Sequence, residues 1–70
     1  MSQELATFAA RFNIVAADAY VLPALFERAA QMVGMPIRAM VAEATYRNNA
    51  LGEYIATAAR KVAAEDKGAL

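Results

Sequence analysis

Three short interruptions divide this chain into four stretches of helical periodicity. The first is Pro23, because proline disfavours the helical conformation of the residue before it and lacks an N–H. The second is Gly34 with Pro36, where glycine suits the left-handed residue that closes a helix and proline suits the next helix start. The third is Asn48-Asn49, in which one asparagine suits a left-handed C-terminal position and the other an N-cap. The interruptions predict helices over residues 3–20, 23–33, 36–47 and 50–65.

Each predicted helix carries an apolar stripe at the spacing of one helix face. Ser2 is the candidate N-cap of the first helix, and Glu4 in its first turn favours the positive end of the helix dipole. No run alternates as a strand would. The fold class is therefore all-α, a compact array of about four short helices, orthogonal or bundle-like. The predicted buried faces are Leu5, Phe8, Ala9, Phe12, Val15, Ala16 and Ala19; Leu25, Phe26, Ala29, Ala30 and Val33; Ile37, Met40, Val41 and Ala44; and Leu51, Tyr54, Ile55, Ala58 and Val62 with either Ala59 or Ala63.

Two local features leave alternatives open. Pro23 either breaks the first helix or kinks it, and Asp18 is an alternative cap for an early turn that runs through the proline. The tail, residues 66–70, mixes charges with a glycine and is expected to fray.

The chain is short and has none of the usual covalent or metal supports. Seventy residues predict a single domain, 1–70, which buries only about 60% of the surface that its unfolded form exposes. The absence of cysteine and histidine excludes disulfides and the common zinc sites. Association with itself or with a partner is the remaining source of stability.

The same absences argue against catalysis. General acid–base and nucleophilic catalysis most often recruit histidine, cysteine or a carboxylate pair in a cleft, whereas the seven carboxylates here fall on predicted solvated faces or in first turns. The three glycines are too dispersed to cradle a phosphate, and no acidic loop has the spacing of a calcium site. We therefore expect a protein that is not an enzyme and holds no cofactor or metal.

Hydropathy and charge limit the location and the binding partners that we expect for the chain. No uncharged apolar run approaches the roughly 18 residues that span a bilayer. Residues 1–10 contain Glu4 and no basic region, so we expect no signal peptide and a cytoplasmic location. The formal net charge is zero, which gives no basic patch for nonspecific phosphate binding.

The second interruption lies in the stretch AAQMVGMPIRAMVAEA, where Ala30 stands four residues before Gly34 and Met40 six residues after it. This stretch resembles the helix-turn-helix of bacterial repressors and the helix-glycine-helix part of ribbon-helix-helix repressors. The resemblance implies a small dimeric DNA-binding regulator that uses residues 25–47. Glu43 departs from the pattern, because a helix-turn-helix has an apolar residue there. The DNA contacts implied are Arg38, Thr45, Arg47, Asn48 and Asn49.

Five apolar side chains have no place in the predicted stripes of a single copy. They are Ile14, Val21, Met32, Met35 and Tyr46. Contiguous exposed apolar surface on a protein usually marks an interface. The main hypothesis is therefore a noncatalytic helical interaction module that self-associates as a symmetric dimer, or docks as a small subunit or adaptor, through these five residues.

Overall fold

Helices make up nearly all of the part of the chain that the structure, a computed structural model, describes. That part is residues 2–68, of which 82% are helical and none lies in a strand. The predicted all-α class with four helices is confirmed. The elements are α1 (Gln3–Arg11), a 3₁₀ turn (Ala19–Val21), α2 (Leu22–Val33), α3 (Ile37–Ala42), a π-turn (Glu43–Arg47) and α4 (Asn49–Gly68).

Helix α1 begins as predicted but ends nine residues before the predicted end at 20. The Ser2 hydroxyl accepts a hydrogen bond from the Leu5 N–H at 3.3 Å, and Glu4 lies in the first turn. The prediction of a helix over 3–20 is wrong because Asn13 adopts a left-handed conformation with φ of 58°. The Ile14 N–H then donates to the Ala9 carbonyl at 2.9 Å, which closes the helix in the way that asparagine, after glycine, does best.

The early end of α1 changes which side chains reach the core. Ile14 turns inward and is buried, whereas Val15 and Ala16, predicted to continue the buried stripe, are exposed. Val21, on the 3₁₀ turn, is buried as well. The expectation that Ile14 and Val21 lack a place in a single copy is therefore wrong.

The 3₁₀ turn runs directly into α2 and resolves the alternatives at the proline. Pro23 lies in the first turn of α2, where its missing N–H costs nothing, so it neither breaks nor kinks α1. Asp18 precedes the 3₁₀ turn but its side chain makes no capping bond. Asp18 instead binds Lys67, with 2.7 Å between Oδ1 and Nζ.

The second and third interruptions form as helix boundaries. Gly34 closes α2 in the left-handed conformation with φ of 73°, and Pro36, in extended conformation, is the N-cap of α3. Helical structure continues through the π-turn to residue 47. Asn48 does not adopt the left-handed conformation predicted for one of the two asparagines. Its N–H closes the π-turn, and its side chain caps α4 by accepting a hydrogen bond from the Leu51 N–H at 3.0 Å. Asn49 is then the first residue of α4.

Helix α4 is longer than predicted and buries only part of the predicted face: Ile55 and both Ala59 and Ala63 are buried as expected. It extends to Gly68, so the predicted fraying is wrong for residues 66–68, and residues 69–70 lie outside the described part. Tyr54 and Val62, predicted to be buried, are exposed, and Ala58 is half-buried. The face that meets the core consists of small residues around one isoleucine: Gly52, Ile55, Ala56, Ala59 and Ala63.

The core is centred on three side chains that are almost completely buried. Phe8, Leu22 and Phe26 have no exposed surface, and the Phe8 and Phe26 rings meet edge to face at 4.9 Å between centroids. Phe12 stacks on Phe8 at 4.8 Å and lies against Gly52 of α4. The radius of gyration of 11.4 Å is close to the value of about 11 Å for a compact chain of this length.

Polar contacts fasten the C-terminal half of α4 to the segment between α1 and α2. Arg60 donates to the Phe12 carbonyl at 2.6 Å, Lys67 pairs with Asp18, and the Tyr20 hydroxyl donates to the Asp66 carboxylate. These contacts hold the end of α4 where the predicted tail was expected to fray. Within residues 2–68 no helix is long and apolar enough to cross a membrane.

Candidate protein-interaction surface

The corner between α2 and α3 is the segment 32–37, of sequence MVGMPI, which contains four hydrophobic side chains around Gly34 and Pro36 and which we call the apolar corner. Gly34 makes the turn possible, since its positive φ suits a residue without a Cβ. The N–H groups of Gly34 and Met35 both donate to the Ala30 carbonyl, the latter at 3.0 Å. These bonds and Pro36 fix the backbone of the corner.

None of the six residues of the apolar corner is buried. Met32 is 78% exposed and Val33 61% exposed, although Val33 was predicted to belong to the buried face of α2. Ile37, also predicted to be buried, is exposed, and Met35 is half-buried against the core. Exposed apolar side chains that lie together on a surface often mark an interaction site.

A groove between α2 and α4 continues the surface of the apolar corner through Met32. This α2–α4 groove has a volume of about 360 Å³ and also includes Tyr54, which is 72% exposed. Its walls come close because Ala29 and Ala58 are small, and both are half-buried. The remaining lining residues are Leu25, Arg28 and Ile55.

A second groove lies between α1 and α3, with two adjoining hollows of about 200 and 140 Å³. Glu4 of α1 and Arg38 of α3 line both hollows, as does Val41, so the two charged residues flank the middle of this α1–α3 groove. Tyr46 lines one end and is 68% exposed. Ile37 lines the other end.

The five residues predicted to form an interface do not lie on one surface. Ile14 and Val21 belong to the core. Met32 and Met35 lie in the apolar corner, and Tyr46 lies at the end of the α1–α3 groove. Sequence reasoning missed the exposure of Val33, Ile37, Tyr54 and Val62, because each fits an apolar stripe at helical spacing.

The residues predicted to contact DNA are only partly available. Thr45 is 3% exposed, and its hydroxyl donates to the Val41 carbonyl at 2.7 Å, so the prediction of Thr45 as a DNA contact is wrong. Arg47 is exposed but lies 3.5 Å from the carboxylate of Glu43, four residues earlier in the chain. Asn48 caps α4 through its side chain. Arg38 and Asn49 are exposed.

Two further observations concern the acidic and titratable side chains of the described residues. Across residues 2–68 no three aspartate or glutamate side chains gather as metal ligands would. The pKa of Tyr20 is raised, first by its hydrogen bond to Asp66 and then by desolvation and the nearby negative charges of Asp66 and Asp18. This tyrosine lies where α4 is fastened to the 3₁₀ turn, so the shift reports a structural contact.

Comparisons with protein-family models, with curated proteins and with solved structures found no match to this chain. The surfaces described above are therefore the basis for assigning a function.

Proposed function

We propose that this protein is a noncatalytic helical interaction module that binds a second copy of itself or another protein through the apolar corner and the α2–α4 groove. The observation that carries the proposal is the exposure of Met32, Val33 and Ile37 at one corner of the fold, beside Met35, which is only half-buried against the core. Of the other hydrophobic residues of α2, Leu22, Phe26 and Ala30 are buried and Leu25 and Ala29 are half-buried, so the large exposed hydrophobic side chains lie at the C-terminal end of the helix.

The rigid backbone of the corner supports binding. Ordering a flexible loop on association costs free energy, and a segment already fixed by Gly34 and Pro36 avoids most of that cost. Methionine adds to this because its flexible thioether side chain adapts to differently shaped partners, and two of the six residues are methionines.

The size of the free-energy terms shows that the corner does not act alone. Burying a side chain such as Met32, Val33 or Ile37 completely contributes about 1.5–3 kcal/mol. Association costs about 4–15 kcal/mol in lost translational and rotational freedom. Three partly exposed side chains offset only the lower part of that range, so a partner must also fill the α2–α4 groove and cover Tyr54.

DNA binding has less support from the same residues. Thr45 is buried, Arg47 is paired with Glu43, and the net charge is zero. Phosphate binding depends on several free basic side chains, and its affinity falls steeply with added salt. Arg38 is the one exposed arginine at the start of α3.

The experiment compares the size of the tagged chain in extracts of its native cells, at native expression level, with the size of the purified chain. We expect the wild type in the extract to elute as an assembly larger than a monomer, and the Val33→Ser variant to shift toward the size of a monomer. Ala64→Ser is the matched control, because Ala64 is an exposed α4 residue outside both grooves. A wild-type chain that elutes in the extract as a free monomer contradicts the proposal.

A further inference from the structure

The α1–α3 groove carries opposite charges on its two walls, and neither charge forms an ion pair within residues 2–68. Glu4 and Arg38 flank the middle of the groove, and both are exposed. The ion pairs formed among residues 2–68 are Arg47–Glu43 and Lys67–Asp18, so neither Glu4 nor Arg38 has an opposite charge of another described residue within 4.0 Å. An apolar floor that includes Leu5 and Val41 lies between them.

We propose that a second copy of this chain occupies the α1–α3 groove, in a two-fold symmetric dimer whose axis runs along the groove. A rotation about that axis exchanges the two walls, so that each Glu4 faces the partner's Arg38. An axis across the groove instead places Glu4 against the partner's Glu4, with repulsion between like charges. The charge pattern therefore selects one of the two arrangements, and a two-fold interface needs this self-complementarity.

The ends of the groove fit the same arrangement. An axis along the groove leaves each end facing the same end of the partner, so Tyr46 meets the partner's Tyr46. Tyrosine is enriched at interface positions that contribute most to binding, and Tyr46 is 68% exposed in the single chain. The zero net charge of the chain removes long-range repulsion between two copies.

The α1–α3 groove is small compared with a standard protein–protein interface. Nine residues line the two hollows together, whereas a standard interface uses about 20–30 residues on each side. Because this surface is smaller than a standard interface, we expect a weak dimer.

The test reverses the charge of Glu4 in one variant and of Arg38 in another, and measures the association of the full chain by sedimentation equilibrium. Glu4→Arg and Arg38→Glu each place like charges opposite one another twice per dimer, and each is expected to raise the dissociation constant by at least about tenfold. An equimolar mixture of the two variants is expected to restore association, as a dimer with one copy of each. Restoration by mixing requires contact between chains, since an ion pair within one chain cannot be repaired by another molecule.

The controls distinguish a loss of this interface from a loss of folding and from charge effects at other surfaces. Glu53→Arg makes the same charge change near the start of α4, outside the groove, and is expected to keep the wild-type dissociation constant. Glu4→Gln and Arg38→Gln remove the charges without reversing them and are expected to weaken the dimer less. Circular dichroism confirms that each variant is helical.

This inference goes beyond the proposed function, because it places a second copy of the chain on a different surface, and its failure is distinguishable from the failure of that function. A wild-type chain that stays monomeric, single variants that dimerise like the wild type, or a mixture that does not associate overturns the inference. A dimer lost in Val33→Ser but kept in Glu4→Arg also overturns it, while it supports association through the apolar corner. A dimer kept in Val33→Ser and rescued by mixing supports the groove.

Discussion

The ring of Phe12 lies directly against Gly52, so that α1 and α4 approach each other at a point where α4 has no side chain. A methyl group on residue 52 would contact the Phe12 ring and would lie 2.5 Å from the Ala44 carbonyl oxygen. The carbonyl belongs to the backbone of the π-turn and has little freedom to move. Glycine at this position is therefore required by packing, although it lies within a helix.

Gly52→Ala is expected to destabilise the fold despite the better helix propensity of alanine. Alanine favours a helix by up to about 1 kcal/mol over glycine, but overpacking typically costs about 1–3 kcal/mol. We expect a net loss of about 1–2 kcal/mol in the free energy of unfolding, measured by urea denaturation. Gly68→Ala is the control, because a methyl group there meets nothing within 4 Å. Equal effects of the two substitutions contradict this packing.

Asn13 determines where α1 ends, and its left-handed conformation makes a specific prediction. An L-residue without a helpful side chain pays about 1–2 kcal/mol in this region, whereas glycine pays nothing. Asn13→Ala is expected to lower the free energy of unfolding by about that amount relative to Asn13→Gly. Thermal or urea unfolding of the pair measures it. Equal stability of the two variants would mean that α1 does not end at a left-handed residue.

Arg60 links α4 to the end of α1 through its hydrogen bond to the Phe12 carbonyl. Arg60→Ala is expected to reduce the free energy of unfolding by about 1 kcal/mol, the usual net contribution of one such bond. Lys61→Ala removes a neighbouring long cationic side chain of similar helix propensity and serves as the control. Urea midpoints that shift equally for the two variants would show that the bond contributes nothing.

The hydrogen bond from Tyr20 to Asp66 predicts a dependence on high pH. The pKa of Tyr20 is raised from the ordinary value of 10.0, so the folded state holds this proton more tightly than the unfolded state does. The stabilisation is therefore complete below pH 10.0 and is lost as the pH rises through the raised pKa. Titration of tyrosinate absorbance checks this. Asp66→Asn is expected to move the Tyr20 component to lower pH, and an unchanged titration curve argues against the contact.

The helix boundaries at the proline and glycine positions were predictable because those residues restrict the backbone whatever surrounds them. Ser2, Gly34 and Pro36 take the cap and turn positions expected from their chemistry. The end of α1 was missed because the apolar stripe continues past Asn13 and outweighed the one residue suited to a left-handed cap. Ile14 and Val21 were consequently assigned to an interface instead of the core.

The buried face of α4 was not predictable from hydropathy. The large apolar residues Tyr54 and Val62 define one stripe, but alanines on other faces provide equally acceptable contacts. The close approach of Phe12 to Gly52 selects the face of small residues, and this is a tertiary contact between distant parts of the sequence. Tyr54 and Val62 are then left exposed, and they add apolar surface at positions where burial was predicted.

The most direct measurement of the central claim is site-specific photocrosslinking in the native cells. A photoreactive residue at position 33 samples the apolar corner, and one at position 64 samples an exposed face of α4 outside both grooves. We predict a discrete protein adduct from position 33 and none from position 64, with mass spectrometry identifying the adduct as a second copy or another protein. Absence of any adduct from position 33, in a chain shown to be folded, would contradict the assignment of the apolar corner as a binding surface.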